Sequence, residues 1–173
     1  MADPVTCIRC AAVGPTCCNT DPARTELCFP LSGPEAERLR PFAEKLGVPA
    51  GVAEGNTRDF LRAMRNLFPD RLEELGLRFP EGGQHLRLAL DEHGGCLFLQ
   101  PEGCALPRSA RPWYCQLFPI WIHKGFFDYF TPQACLIARE AGNLRDVFAA
   151  AGLDPEEAKA IYISLCRDWE LSR

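Results

Sequence analysis

The stretch HLRLALDEHGGCLFL, residues 85–99, decides the fold class that the sequence predicts. Leu86, Leu88 and Leu90 recur at every second position, which is the period of a strand with one buried face. The letters DEHGG then supply turn residues, and CLFL returns as a second apolar run. The stretch therefore predicts a β-hairpin.

Further elements flank this hairpin. FPIWIHKGFFDYF, residues 118–130, predicts a second hairpin that turns at HKG. The letters SGPE, with Ser32 and Glu35 three residues apart, have the capping-box signature of a helix start. Apolar residues at helical spacing predict a second helix over residues 57–67. The letters DPEE, which begin at Asp154, predict the start of a final helix. The fold class is therefore α+β, with small antiparallel hairpins packed against helices.

Composition narrows the classes of protein and partner. The chain has 173 residues, of which 47% are hydrophobic and 24% charged, as in a globular domain. A net charge of -4 does not favour nucleic acid as a partner. No apolar run approaches the ~18 residues of a membrane span, and the first residues lack the pattern of a secretory signal. We therefore expect a cytoplasmic protein without a membrane partner, in which thiols stay reduced and dense cysteines point to metal binding or catalysis.

The chain has ten cysteines, and most lie in two clusters. The first is CIRCAAVGPTCC with a further cysteine at position 28, and the second is GCLFLQPEGCALPRSARPWYC. The predicted metal ligands are Cys7, Cys10, Cys17, Cys18, Cys28, Cys96, Cys104, Cys115 and Cys135. The tenth, Cys166, lies among apolar residues of the final helix and is predicted to be a core residue.

Spacing supports part of this ligand set. Cys7 and Cys10 form a CxxC pair, whose two sulfurs are able to converge on one zinc ion. Cys17 and Cys18 are adjacent, so their side chains leave an extended backbone on opposite faces, and which of them binds stays open. Whether Cys28 is a ligand also stays open. Nor does the sequence decide between a ligand and a buried thiol at Cys135, which precedes a predicted helix.

The thiols are numerous enough for two tetrahedral sites. Four thiolates around Zn²⁺ carry a net charge of -2, which nearby hydrogen-bond donors would stabilise. Four arginines lie close to candidate ligands in the sequence: Arg9, Arg24, Arg108 and Arg111. The histidines occur singly and are predicted to be surface or turn residues: His85, His93 and His123. The aromatic residues between positions 113 and 130 are predicted to belong to the core rather than to a stacking platform.

The second cysteine cluster resembles the sequence pattern of a known protein family. Cys96 in CLFL, Cys104 after a glycine, and the segment RPWYCQLFP resemble the cysteine-cluster family of zinc- or iron-chelating domains, the YkgJ-like proteins. The N-terminal CIRCAAVGPTCC is similar to the cysteine knot of that family. The resemblance implies a cytosolic bacterial protein that holds metal through these cysteines, in a family whose biochemical role is mostly unassigned.

Two features depart from the family pattern. AAVGPT, residues 11–16, lengthens the knot, and Gln116 stands where the family has arginine, which removes a charge partner for the cluster. The related flagellin lysine N-methylases carry a similar cysteine pattern, and that resemblance implies an iron–sulfur enzyme. This chain shows no nucleotide-binding motif such as GxGxxG. We also find no paired carboxylates, serine elbow or Walker loop, so no catalytic residue is predicted.

Three functions therefore remain open. The preferred one is a protein that holds zinc or iron through thiolates, in a structural, sensory or carrier role. The alternatives are an enzyme built on an iron–sulfur cluster and a thiol redox sensor without metal. The sequence identifies no protein partner.

We expect a single cysteine-cluster domain over residues 1–173. Within it, residues 1–31 form a cysteine-rich loop and residues 32–83 are helical. Residues 84–132 hold the hairpins and the second cysteine cluster, and residues 133–173 form the C-terminal helices. Metal-binding loops would tie the first segment to the hairpins.

Overall fold

The computed structural model of the protein describes residues 5–12, 18–19, 28–132 and 135–171. Over these residues it combines eight α-helices with small antiparallel sheets, which confirms the predicted mixture of helices and antiparallel strands. The helices are α1 Val5–Ala12, α2 Gly33–Leu46, α3 Arg58–Leu67, α4 Leu72–Arg78, α5 Trp113–Leu117, α6 Leu136–Glu140, α7 Leu144–Ala151 and α8 Pro155–Asp168. The strands are β1 Pro30–Leu31, β2 Val52–Gly55, β3 Gln84–Arg87, β4 Leu99–Gln100, β5 Gly103–Cys104, β6 Ile120–His123 and β7 Phe126–Tyr129.

Local capping chemistry positions the two longest helices. At α2 the Glu35 amide donates to the Ser32 hydroxyl at 3.2 Å, and the Ser32 amide donates to the Glu35 carboxyl group at 2.8 Å. At α8 the Glu157 amide donates to the Asp154 side chain at 2.8 Å, and the reciprocal bond is 3.2 Å long. Both capping boxes satisfy amides that the first helical turn leaves without intrahelical partners. These two predicted helix starts are confirmed.

The two predicted hairpins have different outcomes. Strands β6 and β7 pair around Lys124 and Gly125, which confirms the second hairpin. The strand pairing predicted for the first hairpin is wrong at β3, because β3 pairs with β1 and β2 in a three-stranded sheet of order β1-β3-β2. Beyond β3 the chain does turn at DEHGG, where the Asp91 amide donates to the Gly95 carbonyl and the Leu97 amide donates to the Ala89 carbonyl, so the predicted pairing is present beside the turn. Alternating apolar residues specify a half-buried strand and leave its partner undetermined.

The prediction that residues 1–31 form an irregular loop is wrong at α1. The segment VTCIRCAA contains neither glycine nor proline, so a helix is open to it. A helix this short is marginal alone, and α1 packs against β5, α6 and α7. Tertiary contacts therefore stabilise α1, whose sequence has only a weak apolar pattern of its own. The predictions for residues 13–17 and 20–27 lie outside the described residues.

Two hydrophobic clusters form the core. The larger includes Trp121 and Trp169, with exposed fractions of 3% and 1%, and it also holds Cys166. This confirms the core assignment of Cys166 and of most of the aromatic run, although Phe126 is exposed. The smaller cluster has Phe98 at its centre, and Cys96 and Cys104 pack against it. None of the helices in the described residues is long and apolar enough to span a membrane.

Candidate metal centre

A cavity of about 150 Å³ lies where the N-terminal segment meets the second cysteine cluster. Seven of the nine predicted ligands line it: Cys10, Cys18, Cys28, Cys96, Cys104, Cys115 and Cys135. The other two are not placed, because the side chain of Cys7 and the whole of Cys17 lie outside the described residues.

Backbone contacts join the two cysteine clusters. The amide of Cys96 donates to the carbonyl of Cys18 at 2.8 Å, and Asn19 bridges Gly95 next to it. Cys28 comes just before β1, and its thiol lies 3.9 Å from the Leu88 carbonyl. The backbone of Cys18 and Asn19 is therefore held against the start of the second cluster by contacts that do not involve the thiols.

Short elements present the remaining thiols of the second cluster. Cys104 ends β5, which begins at Gly103 with a φ of +118° and pairs with β4 across the turn at residues 101–102. Cys115 lies in the first turn of α5, whose first amide, that of Trp113, donates to the buried Glu35 carboxyl group at 2.8 Å. Gln116 donates to the carbonyl of Arg111 at 2.7 Å, which fixes the backbone just before α5.

Electrostatic interactions link several of these thiols. Cys115 interacts with four other thiols, and together they form what we call the five-thiol group: Cys18, Cys28, Cys96, Cys104 and Cys115. The thiol of Cys135 interacts with that of Cys10, and we call these two the Cys10–Cys135 pair. The two sets share one cavity and come from segments far apart in the sequence.

Burial controls the chemistry of these thiols. Desolvation raises the pKa of Cys28 to about 11 and the pKa of Cys96 to about 12, and it also raises the pKa of Cys104, Cys115 and Cys135. Cys115 has a large accessible surface and yet lies deep in the protein, because that surface faces the cavity. At neutral pH these thiols hold their protons unless a cation replaces them.

The thiols surround the cavity without meeting at one point. Within the part of the chain that the structure describes, no group of three or more histidine, cysteine or acidic side chains has the arrangement of a metal site. Carboxyl groups and imidazoles are absent from the described residues that line the cavity. His85 is buried and bonded to Asn56, so the prediction that it is a surface or turn residue is wrong.

The arginines proposed as donors occupy different places. Arg111 lines the cavity and is the charged side chain among its described lining residues. Arg108 donates to the Ala151 carbonyl at 2.9 Å, and Arg9 forms an exposed ion pair with Glu140. Arg24 lies outside the described residues. Of the three described arginines, only Arg111 belongs to the candidate site.

Sequence reasoning missed the role of Glu35 in joining distant parts of the fold, among them the start of α5, which carries Cys115. Glu35 has 1% of its surface exposed, and besides Ser32 it accepts hydrogen bonds from Trp113 and Trp169. The capping box in the sequence explained its position in the helix but gave no sign of these distant partners.

A comparison with protein-family models found no match, and comparisons with the curated proteins and with the solved structures found none either. The resemblance to the YkgJ-like family therefore stays a prediction. The function is argued from the arrangement of the thiols in this chain.

Proposed function

We propose that this protein binds zinc or iron through cysteine thiolates that line the cavity, in the reducing cytoplasm. The observation that carries the proposal is that seven cysteines from separate segments of the chain line one cavity. Thiolates are soft ligands that suit zinc and iron, whereas calcium and magnesium prefer oxygen. The donor set therefore fits the metals that the sequence suggests.

The five-thiol group offers enough ligands for a complete tetrahedral site. Structural zinc and each iron–sulfur cluster require four ligands, commonly thiolates, so one member of the group would be a spare or a second-sphere thiol. The Cys10–Cys135 pair would require partners such as Cys7, the other half of the CxxC motif. Bound metal would supply folding free energy, because the unfolded chain lacks a preformed site.

An iron–sulfur cluster is the second candidate, and one observation favours it. The described thiols surround a space of about 150 Å³ and do not meet at one point. A cluster of several metal atoms fills such a space better than one ion whose four ligands lie ~2.3 Å away. This arrangement would also suit the iron–sulfur enzyme that the sequence leaves open.

The thiol redox sensor has less support. Sensor cysteines are accessible and have lowered pKa values, because the thiolate is the reactive form. Burial instead raises the pKa of Cys28, Cys96 and Cys104. These thiols are poor nucleophiles at neutral pH, which weighs against reversible disulfide chemistry as their main role.

Elemental analysis with an absorption spectrum, on protein purified without oxygen, tests the proposal. About one or two zinc ions per chain without visible absorption would support a thiolate-held ion. Iron with labile sulfide and a broad visible band would support the cluster and direct attention to an enzyme. Protein that is metal-free as purified, and that takes up neither zinc nor iron when supplied with them, would overturn the proposal and return attention to redox exchange.

A further inference from the structure

Helix α1 forms one wall of the cavity. Thr6, Ile8 and Cys10 of this helix are among the lining residues. Arg9, next to Cys10 in the sequence, instead carries an exposed side chain that pairs with Glu140, and the two side chains have accessible fractions of 54% and 46%. The wall is therefore a single helix thick, with the cavity on one side and solvent on the other.

Few contacts with the core hold α1 in place. None of its described side chains belongs to either hydrophobic core cluster. It packs instead against β5, α6 and α7, and a helix of eight residues is marginal without such contacts. Segments with little buried apolar contact open locally at a lower free energy than the core does. This wall of the cavity is therefore able to open without unfolding the core.

A bidentate ion pair fastens α1 to α6. The Nη1 of Arg9 donates to Oε2 of Glu140 at 3.2 Å, and its Nη2 donates to Oε1 at 2.8 Å. Glu140 is the last residue of α6, and Cys135, which comes immediately before α6, also lines the cavity. Two parallel hydrogen bonds fix the orientation of the two groups as well as their distance. The ion pair therefore joins the two segments that bring Cys10 and Cys135 to the cavity.

We propose that α1 is a removable wall of the metal site, and that the Arg9–Glu140 ion pair is the clasp that keeps this wall closed. The inference rests on the proposed function. A metal ion enters when α1 moves away from β5 and α6, and Cys10 reaches the cavity again when the wall closes. Arg9 and Glu140 are positioning residues, because they act through the helix that carries Cys10. Weakening the clasp raises the population of the open state, so metal should both enter and leave faster.

The chain offers a matched control in the ion pair of Arg62 with Asp59. Its Nη2 to Oδ1 distance is 2.7 Å, and both side chains are exposed, with accessible fractions of 73% and 58%. Both residues belong to α3, and neither lines the cavity. Replacing Arg62 removes an exposed ion pair from the protein without loosening a wall of the site.

The test is stopped-flow measurement of Co²⁺ binding to the metal-free, reduced full chain, followed by thiolate-to-cobalt absorption. Release is measured by mixing the loaded chain with enough EDTA that the rate no longer depends on the EDTA concentration. The variants are Arg9→Gln, Glu140→Gln, the charge swap Arg9→Glu with Glu140→Arg, and the control Arg62→Gln. Circular dichroism confirms that each variant is folded.

We expect Arg9→Gln and Glu140→Gln each to speed up both association and release roughly two- to fivefold, the range open to an exposed ion pair. The dissociation constant should change less than either rate constant, because both rate constants rise together. The charge swap should restore slow exchange, and Arg62→Gln should keep the wild-type rates. Salt screens exposed pairs, so added NaCl should speed release from the wild type more than from Arg9→Gln.

Two results would overturn the inference. One is wild-type association and release in both Arg9→Gln and Glu140→Gln. The other is a weaker affinity without faster association, which would show that the ion pair supports the geometry of the site and does not control access to it. If the single variants do not fold, release from the wild type that does not respond to salt would also contradict the clasp. Failure of the wild-type chain to bind Co²⁺, zinc or iron would instead contradict the proposed function itself.

Discussion

The backbone amide of Trp113 donates a 2.8 Å hydrogen bond to the carboxyl group of Glu35, 78 residues earlier in the chain. The same carboxyl group accepts from the indole of Trp169 at 3.2 Å and from both donors of Ser32. All of these partners are donors, so the carboxyl group acts as an acceptor in each of these hydrogen bonds. One buried side chain thus ties α2 to the start of α5 and to the end of α8.

We expect Glu35→Gln to lower the free energy of unfolding by roughly 3 kcal/mol, because its amide would face buried donors that then lack an acceptor. Chemical denaturation of metal-free protein measures this change. Glu37→Ala on the same helix is the control, since Glu37 is exposed and pairs with the exposed Arg40, and its effect on stability should be much smaller. Equal effects would show that the Glu35 network adds little stability.

Replacement of single cysteines should separate ligands from core thiols. Cys115→Ser should lower the metal content per chain, because its side chain faces the cavity and a hydroxyl is a poor ligand for these soft-metal sites. Cys166→Ser should keep the metal, since Cys166 packs in the larger core cluster next to Tyr162. Metal content is measured by elemental analysis of each purified variant. Equal loss in both would contradict the assignment of Cys115 to the site.

Removal of metal by a strong chelator should lower the melting temperature and loosen α1. Binding free energy at such sites is folding free energy, and α1 carries Cys10 into the cavity. Amide hydrogen exchange should therefore speed up in Val5–Ala12 more than in Pro155–Asp168, whose stability comes from the larger core cluster. A melt that does not move after complete metal removal would exclude a structural role for the metal.

Local signals explain what the sequence predicted well. Ser32 with Glu35, and Asp154 with Glu157, satisfy the first helical turn from within three residues, so the pattern is visible in the chain itself. The hairpin that turns at Lys124 is equally local, because its two strands are neighbours in sequence.

The features that could not be predicted from the sequence depend on contacts between residues that are far apart in the chain. Strand β3 is at once the partner of β1 and of β2, and the alternation of apolar residues is the same whichever partner a strand has. The interaction of Cys10 with Cys135 depends on how α1 packs against α6. The cysteine clusters in the sequence predicted which thiols are candidate ligands. Where each described thiol lies around the cavity depends on the tertiary fold.

The β6–β7 turn should accept a stabilising substitution. Lys124 and Gly125 both have positive φ, +51° and +83°, as the two central residues of a type I′ turn require. Lysine pays a steric cost in this region that asparagine largely avoids, so Lys124→Asn should stabilise the protein by about 0.5–1 kcal/mol. The same change at Lys45, in the last turn of α2, should be slightly destabilising because asparagine is a poorer helix former. Denaturant midpoints of both variants check this, and a loss of stability in Lys124→Asn would contradict it.

His85 should make the fold sensitive to mild acid. Its ring stacks on Phe60 with 3.8 Å between centroids, its Nδ1 lies 2.9 Å from the Asn56 side-chain oxygen, and its buried Nε2 has no hydrogen-bond partner among the described residues. Burial lowers the pKa of His85 below the ordinary value near 6.5, because a second ring proton would be buried unpaired. Below about pH 6.5 the unfolded chain then binds more protons at this residue than the folded chain does.

Stability from His85 is therefore complete above about pH 6.5 and is lost as the pH falls through the lowered pKa of the folded state. Unfolding free energies measured between about pH 7.5 and 5.5, above the range where most carboxylates titrate, should fall with acid in the wild type. His85→Gln should be less stable at pH 7.5 but should fall less steeply with acid. His93→Gln, at an exposed turn position, should keep the wild-type slope. Parallel slopes for the wild type and His85→Gln would show that a different group controls acid sensitivity.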